Sequence, residues 1–285
     1  MLEDLLEPAQ LLPQVTEIAH CAGEAIMEVY ADCGAAVEYK NDRSPLTQAD
    51  LASHRIICDA LAQISPHIPV LSEESGEVPY EARRDWNLFW LVDPLDGTTE
   101  FLHRNGEFTV NIALMRSGAP ILGVVYAPVS GVAYSAAKGR GARKSEQGIE
   151  RPIQAVPQSR PATKIVVSRR HGDGVDRMRA DLERIGVDPS RCEFVPMGSS
   201  LKFCTVAEGS ADLYLRNAPT MEWDTAAAQC VLETAGGCIY DLEGNCLRYN
   251  KPVLRNPSFL ASATRLLPRP VEHGNHMTST QSNSR

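Results

Sequence analysis

The sequence has no apolar run of about 18 residues, the length that a membrane-spanning helix requires. It also has no N-terminal segment in which positive charge precedes an apolar core and a small-residue cleavage site. Its eight cysteines include no Cys-x-x-Cys pair, so free thiols in a reducing compartment are favoured over a zinc site or a disulfide framework. These absences predict a cytoplasmic protein without a transmembrane segment.

Basic residues are outnumbered: 28 Lys and Arg stand against 36 Asp and Glu, which gives a formal net charge of −8. No basic face stands out, so we expect no binding to a nucleic-acid polymer. An anionic small molecule could still bind where metal ions and a few well-placed cations make the local electrostatic potential positive.

The 285 residues are 43% apolar and 22% charged, which is ordinary for a globular protein. This length suits one large domain or two lobes. We predict an N-terminal α/β lobe over 1–160, a C-terminal α/β lobe over 161–265 and a disordered tail over 266–285, which is polar and lacks periodicity. The Gly-, Arg-, Gln- and Pro-rich segment 138–163 is predicted to be the passage between the lobes.

Hydrophobic periodicity predicts helices and strands that alternate along the chain, and therefore a layered α/β or α+β fold. Helices are predicted at 9–30, 50–64, 175–185, 201–208 and 225–235, with a polar, Pro-broken loop at 40–45. Strands are predicted at 69–72, 88–92, 109–115, 121–126, 132–136, 164–168, 193–195 and 211–215.

Three short segments place acidic residues at strand ends or helix starts: Ser72–Ser75, Asp93–Thr99 and Trp223–Ala227. Asp93 and Asp96 follow a strand that is apolar throughout. Two carboxylates so close together at the edge of a sheet would repel each other. Mg²⁺ relieves such repulsion and binds carboxylate and carbonyl oxygens. A turn or helix starting at Gly97 would direct backbone N–H groups at an anion. Together these features are typical of metal-assisted phosphoryl hydrolysis.

Each segment alone also has an ordinary interpretation. Asp93-Pro94 and Asp96-Gly97 are common in turns, and Asp224 could simply cap a helix. Glu73 could lie on a solvated edge. Only the three segments in combination favour a catalytic site.

These three segments resemble the signatures of the inositol monophosphatase superfamily of magnesium-dependent, lithium-sensitive phosphatases. The resemblance covers about residues 10–262 and implies an α-β-α-β-α sandwich. Segments 40–50, 104–111 and 198–204 further resemble the bisphosphate nucleotidase branch, which converts adenosine 3′,5′-bisphosphate to AMP and phosphate in sulfate assimilation.

The resemblance also implies roles for individual residues. The residues that would hold two or three Mg²⁺ ions are Glu73, Asp93, the Leu95 carbonyl, Asp96 and Asp224. Asp50 and Thr98, with Glu73, would orient and deprotonate the attacking water, and the N–H groups of Gly97 and Thr98 would hold the scissile phosphate. The rest of the nucleotide would contact His171, Ser199, Lys202 and Arg216.

A bisphosphate brings a second anion that the metals do not reach, and Lys202 and Arg216 are suited to bind it. Two departures from the family pattern are visible: Thr99 stands where Lys is usual, and Asn217-Ala218 replaces the usual residues after Arg216. An inositol monophosphatase or a sugar-bisphosphate phosphatase with the same metal site is the alternative enzyme. A catalytically inactive metal- or nucleotide-binding regulator is the alternative outside enzymes. The resemblance also implies inhibition by Li⁺ and peripheral contact with the inner membrane, and we expect a monomer.

Overall fold

The protein is described from a computed structural model that covers residues 7–32, 45–157, 161–169 and 175–266. His171, residues 40–44 of the segment 40–50 that resembles the nucleotidase motif, and nearly all of the predicted tail lie outside these described residues. No helix within them is both long enough and apolar enough to span a bilayer.

Two long helices form the first layer, α1 (Pro8–Asp32) and α2 (Pro45–Ile64). Leu12, Val15, Ala19, Ala22 and Ile26 recur every three or four residues along α1 and are buried against α2 and the first sheet. The prediction that 40–45 is entirely loop was wrong at its end, because Pro45 begins α2. Proline is tolerated in the first turn of a helix, where its missing N–H has no partner to lose.

The first sheet has seven strands in chain order: β1 (Val70–Ser72), β2 (Leu88–Asp96), β3 (Thr109–Arg116), β4 (Ala119–Ala127), β5 (Val132–Ala137), β6 (Gly141–Glu146) and β7 (Ile149–Pro152). β1 runs parallel to β2, and each later neighbour is antiparallel. β2 does not end at Val92 as predicted but continues to Asp96, with an irregularity in its pairing to β3.

The segment 138–163 contains β6 and β7 and is therefore not simply a passage between lobes. Gln147 and Gly148 both have positive φ, which is the backbone of a tight two-residue hairpin turn. The hairpin was missed because β7 is exposed along its whole length at the sheet edge and carries no apolar alternation.

The second sheet has five strands in the order β12-β14-β10-β8-β9. They are β8 (Thr163–Val167), β9 (Cys192–Pro196), β10 (Leu213–Arg216), β12 (Cys238–Asp241) and β14 (Phe259–Ser262), while β11 (Thr220–Met221) pairs separately with β13 (Arg255–Asn256). Helix α5 (Val175–Arg184) buries Met178 and Leu182 against one face of this sheet. All of its strands follow residue 160, although the division into two lobes remains a proposal.

Between the sheets lie α6 (Leu201–Ala207) and α7 (Trp223–Thr234). A Cβ on Gly123 of β4 would meet the Ala227 carbonyl oxygen of α7 at 2.3 Å, so the helix backbone packs directly on the first sheet. The layers therefore run α1/α2, first sheet, α6/α7, second sheet, α5, which confirms the predicted α-β-α-β-α sandwich. Two short helices, α3 (Tyr80–Arg83) and α4 (Thr98–Leu102), and the 3₁₀ turns Glu73–Ser75 and Pro189–Arg191 complete the elements.

Candidate active site

The parallel pairing of β1 with β2 brings the first acidic residues together. Ser72 is paired with Val92, so the next residues along the two strands are Glu73 and Asp93. The Ser72 side chain caps the 3₁₀ turn that carries Glu73 by accepting a bond from the Glu74 N–H at 3.4 Å. The ring Nδ1 of His54 lies 2.9 Å from the Ser72 hydroxyl, which ties α2 to this turn.

The irregular end of β2 places the next two carboxylates. Asp93 is still paired with Asn111 and Asp96 with Thr109, and the register shifts between them. The Leu95 N–H donates to Asp93 Oδ1 at 3.1 Å, and Ser53 of α2 donates to the Pro94 carbonyl at 2.8 Å. These bonds hold the backbone in the bulge at the carboxyl end of the strand.

Gly97 connects this bulge to α4. Its φ of 98° is in the left-handed region that favours glycine, and an added Cβ would lie 3.2 Å from the Phe108 backbone. Helix α4 begins immediately afterwards at Thr98. The predicted helix start after Asp96 is confirmed, while the binding of phosphate by the Gly97 and Thr98 N–H groups remains a prediction.

Asp224 reaches the same region from α7. Its Oδ2 accepts a bond from the Met221 N–H at 3.0 Å, and Glu222, not Asp224, is the residue that precedes the helix. The Ser200 hydroxyl lies 2.8 Å from Asp96 Oδ2 and 2.7 Å from the Asp224 carbonyl oxygen. Asn111 donates to Asp96 Oδ2 at 3.3 Å from the other side. Asp96 and Asp224 are thus linked through Ser200.

The acidic side chains perturb one another strongly. The pKa of Asp93 is raised well above its usual range, mainly by burial and then by the charges of Asp96 and Glu73. Burial and the charge of Asp96 raise the pKa of Asp224 to about 7. Burial, followed by the charge of Asp96, also raises the pKa of Glu73. Carboxylates that raise each other's pKa in this way are stabilised as anions by divalent cations.

Asp50 lies on α2 behind this group and is 7% exposed. Burial, followed by the charges of Glu74 and Glu73, raises its pKa to about 8. Its Oδ1 is buried and has no hydrogen-bond partner among the described residues. Asp50 is therefore a buried group that can hold a proton near neutral pH.

The donor set fits a hard divalent cation, because it consists of the carboxylates of Glu73, Asp93, Asp96 and Asp224. Within the described ranges, however, no three acidic, histidine or cysteine side chains converge closely enough to form a ready coordination cluster. The fit rests on the donor chemistry, the mutual pKa shifts and the unpartnered Asp50 oxygen. The individual ligand roles, including that of the Leu95 carbonyl, remain predictions.

A cleft of about 240 Å³ opens beside these carboxylates. Two groups of charged residues line it together with Glu100: the carboxylates of Asp96 and Asp224, named the acidic end, and the cations Lys202, Arg216 and Arg169, named the basic end. Ser199, Gly97 and Thr99 also line it, whereas Asp50, Glu73 and Asp93 do not. The cleft thus brings predicted metal ligands and predicted nucleotide-binding residues onto one continuous surface.

The two predicted phosphate-binding cations differ in their surroundings. Lys202 is 5% exposed, and its Nζ donates to the Ser199 carbonyl at 2.6 Å and to the Met197 carbonyl at 3.3 Å. Burial lowers its pKa to about 8. Arg216 is half-buried, with one Nη bonded to the Ser168 hydroxyl and a buried Nε that has no partner among the described residues.

Several residues that line the cleft or bond to its lining were not assigned roles from the sequence. Ser200 and Asn111 hold Asp96, and Glu107 binds both Arg169 and the Gly198 N–H. All except Arg169 lie within the segments 104–111 and 198–204 that carry the branch resemblance. That resemblance was the only available signal, since their partners are distant in sequence.

Comparison with known proteins is consistent with this geometry. The inositol monophosphatase family profile matches residues 7–284. Over 252 residues the chain is 48% identical to the 3′(2′),5′-bisphosphate nucleotidase CysQ of Salmonella typhimurium, covering 87% of this chain and 98% of that protein. The crystal structure of CysQ from Bacteroides thetaiotaomicron, at 41% identity, superposes with a TM-score of 0.79 over 88% of this chain and 97% of that one. The structure of inositol monophosphatase from Anabaena, at 26% identity, superposes with a TM-score of 0.70 over 90% of this chain and 91% of that one.

Proposed function

Because this chain belongs to the inositol monophosphatase family, we propose that it is a 3′(2′),5′-bisphosphate nucleotidase that hydrolyses adenosine 3′,5′-bisphosphate to AMP and phosphate. The relatives that are 48% identical over nearly their whole length are named for that activity. The sulfate-assimilation setting expected from the sequence belongs to this proposal.

One observation carries the proposal: predicted metal ligands and two cations line the same cleft. Asp96 and Asp224 line it together with Lys202 and Arg216. Apart from its phosphate at the acidic end, an inositol monophosphate needs only hydrogen-bond partners for its hydroxyl groups. A bisphosphate also needs a binding site for its second phosphate. Arg216 suits that anion because its planar fork can donate two hydrogen bonds to phosphate.

The acidic end is proposed to hold Mg²⁺ through Glu73, Asp93, the Leu95 carbonyl, Asp96 and Asp224. When bound, the metal would neutralise charge on the scissile phosphate and lower the pKa of the attacking water. The scissile group would lie against the backbone of Gly97 and Thr98 at the start of α4.

Asp50 and Thr98 are proposed to orient the attacking water, with Asp50 Oδ1 accepting its proton. That oxygen is buried and has no partner among the described residues, so it can accept a hydrogen bond from water. Bound Mg²⁺ would lower the pKa of Asp50 from its metal-free value of about 8, so that the carboxylate is ionised and can act as a base near neutral pH. Thr98 follows Gly97 directly and is the first residue of α4.

Three expectations from the sequence remain predictions within this proposal: a monomer, a cytoplasmic location and contact with the inner membrane. His171 is retained as a proposed nucleotide contact, although it lies outside the described residues. The alternative substrates are inositol or sugar phosphates, which would use the same acidic end.

The proposal is tested by following phosphate release from adenosine 3′,5′-bisphosphate with and without Mg²⁺, and by identifying the remaining nucleotide. We expect metal-dependent release with AMP, phosphorylated at the 5′ position, as the product. Release of the 5′ phosphate, or no release with Mg²⁺ present, would contradict the assignment.

A further inference from the structure

A single carboxylate joins loops from the two sheets at the rim of the cleft. Glu107 lies just before β3 of the first sheet, whereas Arg169 follows β8 of the second sheet and Gly198 precedes α6. The Arg169 Nε and the Gly198 N–H each lie 2.7 Å from Glu107 Oε2, and an Arg169 Nη bonds to Oε1. A two-point pairing of this kind fixes the orientation of the guanidinium group as well as its distance.

The backbone at Gly198 packs closely against the first-sheet side of this contact. A Cβ at position 198 would lie 2.4 Å from Glu100 Cγ and 2.8 Å from the Glu107 carbonyl oxygen. Position 198 therefore accommodates only glycine without a shift of its neighbours. Burial alone would raise the pKa of Glu107, but the bonds from Arg169 and the Gly198 N–H lower it, so its charge is retained.

The two residues after Gly198 connect this contact to the acidic end of the cleft. Ser199 has a φ of 46°, an uncommon conformation for a residue with a side chain. Ser200 comes next and bonds to Asp96 Oδ2 and to the Asp224 carbonyl. On its inner side, the loop is held by Lys202, whose Nζ donates to the carbonyls of Met197 and Ser199.

We propose that Glu107 and Arg169 are positioning residues that hold the Gly198–Ser200 loop in place and so keep Ser200 against Asp96. The pair acts through this loop and is not assigned to contact the reacting atoms. This inference relies on the proposed function only in treating Asp96 as part of the catalytic end. A competing role for Arg169, direct contact with the second phosphate, is separated from it by the following experiment.

The kinetic test compares Glu107→Gln, Arg169→Ala and the double variant on adenosine 3′,5′-bisphosphate and on a monophosphate ester that the wild type hydrolyses. We expect each single variant to lower kcat on both substrates by roughly twofold to fivefold, since the pair is partly exposed. KM should change little, and the double variant should be no slower than the slower single variant, because both changes break one contact. Arg84→Ala removes an exposed arginine paired with Asp85 away from the cleft and should leave kcat unchanged.

A second readout does not depend on activity. Hydrogen exchange of the Gly198 N–H, followed in the full-length metal-free protein, should be faster in both single variants than in the wild type or in Arg84→Ala. Calorimetric titration should show weaker Mg²⁺ binding in the same two variants. Glu107→Gln is nearly isosteric and keeps the fold testable if Arg169→Ala is poorly folded.

Unchanged exchange at Gly198 in both Glu107→Gln and Arg169→Ala would overturn the proposal. A loss confined to the bisphosphate in Arg169→Ala, with wild-type kinetics in Glu107→Gln, would also overturn it and assign Arg169 to the phosphate. If the wild type hydrolyses only monophosphates, the proposed nucleotidase activity fails, yet the exchange and monophosphate measurements still decide the role of the pair.

Discussion

Arg216 gives the sharpest test of how an acidic protein could hold a substrate with two phosphates. Arg216 lines the same cleft as Asp96 and Asp224, one Nη is bonded to Ser168, and the buried Nε has no partner among the described residues. We predict that Arg216→Ala lowers kcat/KM for adenosine 3′,5′-bisphosphate selectively. Inositol 1-phosphate has no second phosphate and should be nearly unaffected.

The expected size follows from the charge-assisted bonds that would be lost. A hydrogen bond to a charged group contributes about 1.5–3 kcal/mol, and each 1.4 kcal/mol is a factor of about ten. Arg216→Ala should therefore reduce kcat/KM for the bisphosphate roughly tenfold to a hundredfold. Arg216→Lys keeps the charge but loses the planar fork, so it should fall between the wild type and Arg216→Ala.

The measurement is steady-state kinetics on both substrates, and thermal melting of each variant checks its fold. Arg184→Ala on α5 is the matched control, because Arg184 pairs with Asp181 outside the cleft. Equal losses on the two substrates would refute the reasoning, since they would show that Arg216 supports the fold or the acidic end. Lys202 gives a less selective test, because its Nζ already binds the Ser199 and Met197 carbonyls and its loss would also loosen that loop.

Three further predictions concern the acidic end. Asp93→Asn should abolish phosphate release without lowering the melting temperature of the metal-free protein, because it removes a buried charge that its neighbours disfavour; activity within tenfold of wild type would exclude an essential role. In EDTA, stability should fall as pH rises from about 4 to about 8, because the pKa values of Asp224 (about 7) and Asp50 (about 8) are raised in the folded state. Melting curves should show that stability falls less with pH in Asp50→Asn, and less in the wild type with Mg²⁺. If the fall in stability is unchanged in both cases, the raised carboxyl pKa values are not its cause. Lithium should inhibit in the presence of Mg²⁺, since a monovalent ion supplies less charge to the leaving oxygen; full activity at tens of millimolar lithium would count against the family-based expectation.

The parts of the site that the sequence predicted are those set by local chain geometry. The apolar segment 88–92 predicted a buried strand, and Asp93, Asp96 and Gly97 follow directly after it. The glycine at 97 has the positive φ that a sharp change from strand to helix requires. Glu73 joins them because a parallel pair of strands ends at one edge of the sheet.

The unpredicted parts depend on contacts between distant residues or on strands without a clear pattern. Ser200 and Asp96 are 104 residues apart, and no local periodicity indicates that they meet. The hairpin of β6 and β7 is largely polar, and β14 has only four residues, so neither shows a strong two-residue alternation. The second sheet was therefore predicted only in part, although the layer order followed from the family resemblance.

The most direct test of the central claim is the ratio of kcat/KM for adenosine 3′,5′-bisphosphate to that for inositol 1-phosphate, measured on the purified wild-type protein at saturating Mg²⁺. The cleft, which is lined by Asp96 and Asp224 and also by Arg216 and Lys202, predicts a clear preference for the bisphosphate. A preference for the inositol ester would contradict the assignment of the basic end to a second phosphate.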